Sequence, residues 1–429
     1  LAESSIKLNA LANNITVTKN GEKTNSPCKK YFTNFFIDTP KLLLLLLTYF
    51  ILKKFFLLNL FVSCMFFAEA KNKFYIQPPK QAKIGIETSY YFGKIIKHNS
   101  RVTTPISQFS HAFEVGLNFY NFGEKAWQRK RKFPSAGVAF ICGIYGDKQY
   151  FGRSYSFLPY VNIWMFRTKY VDGFFRMGFG IGFLSKRYDP VDNPLNIMVG
   201  SVVNNITQFK LGFNWKVNEH VHLTTSGSFT HWSNAKFQNP NLGINLAAFT
   251  VGLHIFPKVK NYTYNTEKPG NPRKRNEGLI KFSMGFNEMG RVSGGPKFPK
   301  FIGTFGYNRY TSAVNKIMMG FNIAYDPMLF QQLKYSEIEK GSNQRWKSTN
   351  MSVYIGDELM FGNVGLFALV GYYVSYPVQK PKSYYFKFGA NYYYYSFGKN
   401  KEQKMFVGVN LKSHNAIAEM LEFGTGITF

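Results

Sequence analysis

Leu421-Glu422-Phe423-Gly424-Thr425-Gly426-Ile427-Thr428-Phe429 puts Leu421, Phe423, Thr425, Ile427 and Phe429 on one face of an extended chain. Glu422, Gly424, Gly426 and Thr428 fall on the other, because successive side chains of a strand point to opposite sides. One apolar and one polar face at period two is a strand signature. Similar segments recur upstream, near 82–92, 110–120, 135–146, 154–167, 173–185, 197–216, 219–233 and 244–256, separated by Gly, Pro, Asn or charged turns. The composition agrees: 28 Tyr, 45 Phe and 37 Gly suit short strands, tight turns and aromatic girdles.

After Ala70 no apolar stretch approaches the roughly 18 residues a membrane helix requires, whereas alternating segments of about ten residues are the pattern of a transmembrane β-barrel. The fold class expected is therefore all-β, a transmembrane antiparallel barrel. Eight strands fill the first half, a polar connector with Pro269, Gly270 and Pro272 runs from Pro257 to Asn276, and about eight further candidates span 277–429. One barrel of about 12–16 strands is expected, with Phe429 closing against a strand near the mature amino terminus; two tandem eight-stranded barrels are the alternative. His414-Asn415-Ala416 faintly echoes His231 to Ala235, as an old duplication would leave it. A terminal aromatic on an alternating strand also resembles the signal read by the barrel-assembly machinery, so Phe429 is expected to engage it.

Lys53-Lys54, the apolar run through Phe67 and the small-x-small end Ala68-Glu69-Ala70 have the three parts of a secretory signal. A signal peptide over 52–70 with cleavage after Ala70 is expected, preceded by an untranslated or disordered extension over 1–51. A transmembrane helix over 42–67 would hold Lys53 and Lys54 near its middle at about 2.5–3.5 kcal/mol each. A lipoprotein signal ending at Cys64 is a weaker alternative, since apolar Met65-Phe66-Phe67 follows it. Cleavage would leave Cys142 as the single cysteine and rule out an internal disulfide.

The formal charge of +30 includes eight Lys and four acidic residues in 1–70, which leaves about +26 afterwards. Export and the scatter of the basic residues through loops argue against nucleic acid as partner. The polyanion an outer-membrane protein does meet is the phosphorylated glycolipid of the outer leaflet.

Thr230-His231-Trp232-Ser233-Asn234-Ala235, followed by Asn239-Pro240-Asn241-Leu242-Gly243-Ile244-Asn245, carries the chemistry. His231 and Ser233 share a face with Val221, Leu223 and Phe229, and Asn245 shares one with Ala247, Phe249, Val251, Leu253 and Ile255. All three polar groups thus sit on the lipid-facing side, where an unpaired histidine is costly. A hairpin from 234 to 244 brings Asn245 beside His231. Ser233 is then the nucleophile, His231 the base and Asn245 the group that fixes the imidazole tautomer, with Asn234 or nearby amides as oxyanion donors. With a periplasmic amino terminus the seventh strand runs outward and the hairpin lies at the cell exterior.

At these residues the sequence resembles the lipid A 3-O-deacylase family, PagL-like barrels whose longer versions are called acyloxyacyl hydrolases. The match comprises His231, Ser233, Asn234, Pro240, Asn241, Gly243 and the polar position 245. The resemblance extends loosely over 82–256, including Gly93-Lys94 to His98, Trp127 and Gly178 to Tyr188, and it implies an outer-membrane esterase removing an acyl chain from lipid A. The family has Glu where this chain has Asn245, which cannot offset imidazolium charge. HxSN with Asn at that spacing also resembles the calcium-dependent outer-membrane phospholipase A, so phospholipid is the alternative substrate and calcium the alternative cofactor. Without it no cofactor is expected, as phosphate-loop, dinucleotide and zinc motifs are missing. A porin or adhesin barrel is the non-enzymatic alternative. His98, His111, His220, His222, His254 and His414 lack metal-ligand spacing and are expected to be structural.

Overall fold

The computed structural model describes residues 82–97, 101–268, 270, 276–290, 293–336, 343–376, 382–398, 402–414 and 417–429. The expected extension over 1–51, the signal peptide over 52–70, its cleavage site and the alternative lipid attachment at Cys64 lie outside them. Among the described residues, eight strands form the first half: β1 (Ile84–Ile95), β2 (Ser110–Phe119), β3 (Ser135–Ile144), β4 (Ser154–Arg167), β5 (Val171–Leu184), β6 (Val203–Lys216), β7 (Val221–Ser233) and β8 (Ile244–Ile255). Eight more follow: β9 (Asn276–Glu288), β10 (Lys297–Ser312), β11 (Asn315–Tyr325), β12 (Thr349–Phe361), β13 (Val364–Ser375), β14 (Tyr384–Phe397), β15 (Gln403–His414) and β16 (Ile417–Thr428). Short helices lie in the loops, among them α1 (Ala126–Lys130) between β2 and β3. None among the described residues is long and apolar enough to cross a membrane.

The strands close into two antiparallel barrels, β1–β8 and β9–β16. This corrects the expectation of one barrel of about 12–16 strands in favour of two tandem eight-stranded ones. β8 pairs with β1 from Ile86↔Ile255 to Ile95↔Leu246, so both edges of the first sheet are used up. Phe429 accordingly closes on β9: Gly278 N donates to Phe429 O at 2.7 Å and Phe429 N returns a bond to Gly278 O at 3.1 Å. A closed eight-stranded sheet leaves no edge for a ninth strand. The strand expected over 197–216 begins only at Val203. Met198 and Val199 are instead fully buried in the preceding loop, whose carbonyls accept Gly243 N and Tyr188 N.

Alternation decides what faces where. On β8, Phe249, Val251, Leu253 and Ile255 face outward, while Thr250 and His254 are buried inside. An eight-stranded lumen is only wide enough for side chains, and here it is filled by charges that neutralise one another. In the first barrel Arg176 bonds Glu87 at 2.5 Å and Glu114 at 3.0 Å, Lys210 bonds Glu114 at 2.9 Å, and the guanidinium stacks 3.8 Å over the Tyr160 ring. In the second, Lys316 lies between Glu358 at 2.9 Å and Glu277 at 3.3 Å, and Lys387 pairs with Glu422 at 2.8 Å. Removing one partner from such a pair strands a buried charge, so these cations and carboxylates hold one another in place.

The barrels touch at their rims. At the rim bearing α1, Arg131 Nη2 donates to Val314 O at 2.6 Å and its guanidinium lies 5.1 Å from the Phe361 ring. At the other, the β7–β8 loop meets the β9–β10 hairpin.

Candidate active site

The last turn of β7 and the first residues of β8 hold the three side chains singled out in the sequence. The register pairs His231 directly with Asn245, and both are half-buried on the outward face. His231 Nδ1 lies 2.5 Å from Asn245 Oδ1. A carboxamide oxygen only accepts, so Nδ1 is the protonated nitrogen and Nε2 keeps its lone pair. Gly243 makes the seat for this ring: its φ is +80° and a Cβ there would fall 2.6 Å from His231 Cε1. Both the left-handed backbone and the close approach demand glycine.

Ser233 follows on the same face, yet it is only 2% exposed because the 234–243 loop folds over it. Its Oγ accepts from Asn241 Nδ2 at 2.8 Å and from the Ala235 amide at 3.1 Å. With both acceptor positions used, the hydroxyl proton is left to donate. Between the two polar residues Trp232 points inward, fully buried, its ring 4.3 Å from Tyr145.

Asn234 holds the loop in shape. Its Nδ2 donates to Ser201 Oγ and to Gln238 O, each at 2.8 Å. Its backbone N–H donates to Asn241 Oδ1 at 3.1 Å. That last bond orients the Asn241 amide, because occupying Oδ1 turns Nδ2 toward Ser233. Asn241 is the residue that sequence reasoning under-read: its motif, Asn-Pro-Asn-x-Gly, was available, but a turn explained it equally well.

Below His231 the outward face opens into a groove of about 570 Å³ lined by Phe175, Phe209, Gly227, Phe229, Ala247 and Phe249. A Cβ on Gly227 would meet nothing within 4 Å. Phe229 and Gly227 lie two and four residues before His231, and Ala247 two after Asn245, so the groove runs along the same outward face one strand repeat from the polar site.

The faint echo in the second half does not reproduce this site. His414 has the parity of buried Asn410 and Lys412 and bonds Glu419 at 3.3 Å and Tyr373 OH at 3.2 Å. Among the described residues no group of three or more His, Cys, Asp or Glu is arranged to hold a metal ion.

No curated protein matches the chain. Residues 111–254 match the family model described as lipid A 3-O-deacylase (PagL), and residues 276–429 the model described as acyloxyacyl hydrolase, C-terminal domain. Among solved structures, Neisserial surface protein A is 9% identical, with 41% of this chain and 98% of that one covered and a TM-score of 0.29. The outer membrane enzyme PagL is 19% identical over 39% of this chain and 97% of its own, with a TM-score of 0.28. Barrel fold and family together imply the bacterial outer membrane. Through its two matched segments the chain belongs to the PagL-like, acyloxyacyl hydrolase family of outer-membrane β-barrels.

Proposed function

We propose that the chain is a serine esterase that removes an ester-linked acyl chain from lipid A or a related outer-leaflet lipid. The observation that carries this reading is the arrangement on one outward face: the His231–Asn245 pair beside Ser233, whose Oγ touches the Asn241 amide. His231 Nε2 takes the Ser233 proton as Oγ attacks the ester carbonyl, and the imidazolium is held by Nδ1–H on Asn245. The carbonyl oxygen becomes an oxyanion beside Oγ, within reach of Asn241 Nδ2 and the Ala235 amide, donors that already converge there. Asn234 then serves the oxyanion by orienting Asn241. His231 returns the proton to the departing sugar oxygen, and a water repeats the sequence on the acyl-enzyme to release fatty acid.

The apolar groove below the site fits the acyl chain, since methylene groups and outward aromatics exclude water together. The neutralised, filled lumens favour this reading over a conducting pore. Phospholipid remains the second substrate class, because Asn245 stands where a phospholipase-like triad has its asparagine.

Purified protein is incubated with lipid A and with phospholipid, with and without calcium, and the products are weighed by mass spectrometry. Loss of one acyl chain from lipid A independent of calcium is expected. Ser233→Ala is expected to stop release while leaving both barrels heat-modifiable. Parental release by Ser233→Ala refutes the serine mechanism, and calcium-dependent release from phospholipid alone moves the substrate to the second class.

A further inference from the structure

The loop that covers Ser233 is fastened from outside its own barrel. Asn239, two residues before Asn241, gives every donor it has to the second barrel. Its backbone N–H donates to Glu288 Oε2, and its Nδ2 to Gly290 O at 2.9 Å and Glu288 O at 3.4 Å. Next to it, Gln238 Nε2 donates to Ser293 Oγ at 2.9 Å. Glu288 N donates back to Lys236 O at 3.3 Å. Phe237 packs edge-on against Phe286, with Lys297 Nζ 4.2 Å from its ring. Glu288 ends β9, is 6% exposed, and uses its other oxygen to accept Gly294 N at 2.8 Å. One carboxylate therefore fixes the β9–β10 hairpin and the serine loop at once.

The loop needs such an anchor. Ala235 and Lys236 both adopt left-handed backbone, at φ +52° and +62°. Non-glycine residues hold that conformation only where surrounding contacts enforce it. These two residues separate Ser233 and Asn234 from the segment that carries Asn241. If they relax, the Asn241 amide leaves Ser233 Oγ.

We propose that the second barrel is a positioning element for the serine site of the first, acting through Glu288; this rests on the esterase reading above. Glu288 touches no reacting atom. It holds Asn239, Asn239 sets the approach of Asn241, and Asn241 aims its amide at the oxyanion. A chain consisting of the first barrel alone lacks this clamp.

The test compares the full-length parent with Glu288→Ala, Glu288→Gln, Asn239→Ala and Ser233→Ala on the lipid substrate, alongside hydrogen exchange of the peptide covering 234–243. Glu288→Ala is expected to lower kcat by about 10- to 100-fold with KM unchanged, since misplacement by an ångström or so costs that much. Exchange of the 234–243 peptide should rise. Glu288→Gln keeps one oxygen acceptor and should recover part of the loss. Asn239→Ala leaves the second barrel intact, should fall in the same direction, and decides the matter if Glu288→Ala fails to insert. A kcat within twofold of the parent in the inserted variants, a change in KM alone, or unaltered exchange overturns the proposal while leaving the esterase standing. Parental activity in Ser233→Ala overturns both.

Discussion

His231 and Asn245 face each other across a non-slipped register of β7 and β8, with Nδ1 2.5 Å from Oδ1. The partner is neutral. It selects the imidazole tautomer, but in the proposed mechanism it would not neutralise the imidazolium formed on acylation. The two tasks that a carboxylate performs together are therefore separable at this position.

Asn245→Ala should lower kcat by about 10- to 100-fold, because the ring loses its tautomer preference and its hold. Asn245→Glu should raise kcat by roughly tenfold by adding charge compensation. Steady-state rates on the lipid substrate check both. A Glu variant slower than the parent would show that this site is tuned to a neutral partner.

Asn241→Ala removes a donor from the oxyanion and should cost about 10²–10³ in kcat with little change in KM. Asn234→Ala instead breaks bonds to Ser201 and Gln238, so it should lower stability by about 1–3 kcal/mol and rate less than Asn241→Ala does. Urea unfolding together with kinetics separates the two. If Asn234→Ala is the more damaging to rate in a fully folded enzyme, the oxyanion assignment reverses.

Gly227 leaves the groove floor open. Gly227→Phe should fill it, so that release of long acyl chains falls by about tenfold or more while short-chain esters are hydrolysed at nearly the parental rate. Chain-length profiles on a homologous ester series test this. An equal loss for all lengths would place the acyl chain elsewhere.

Val251 is 43% exposed on the outward face of β8. Val251→Arg should destabilise the inserted barrel by about 2–4 kcal/mol, and Val251→Leu should not. Reversible unfolding in lipid or detergent measures the difference. Equal stability of the two variants would mean that this face does not meet hydrocarbon.

Much of the fold was legible in the sequence because strand alternation is a local property. The outward parity of His231 and Ser233, the turn between Asn239 and Gly243, and the strand ends near 167, 216 and 233 all follow from period two and turn residues. The run at 197–202 misled, since buried Met198 and Val199 satisfy the same apolar pattern from a loop. Asn241 could be seen as a motif residue, but a turn asparagine and one that donates to the serine Oγ look alike until the loop closes over Ser233.

The amino-acid sequence by itself determined eight alternating segments in the first half and about eight more in the second, the outward faces of the site-bearing strands, and the His231–Ser233–Asn245 constellation. Only the tertiary structure decided that β8 returns to β1 and that Phe429 returns to Gly278, making two barrels where the same segments could have closed one. The reason is that an edge strand presents the same unpaired N–H and C=O groups to any partner, so closure is chosen by non-local pairing that leaves no mark on local periodicity. The clamp of Glu288 on the serine loop arises in the same way, from residues distant in sequence that meet only once both barrels stand side by side.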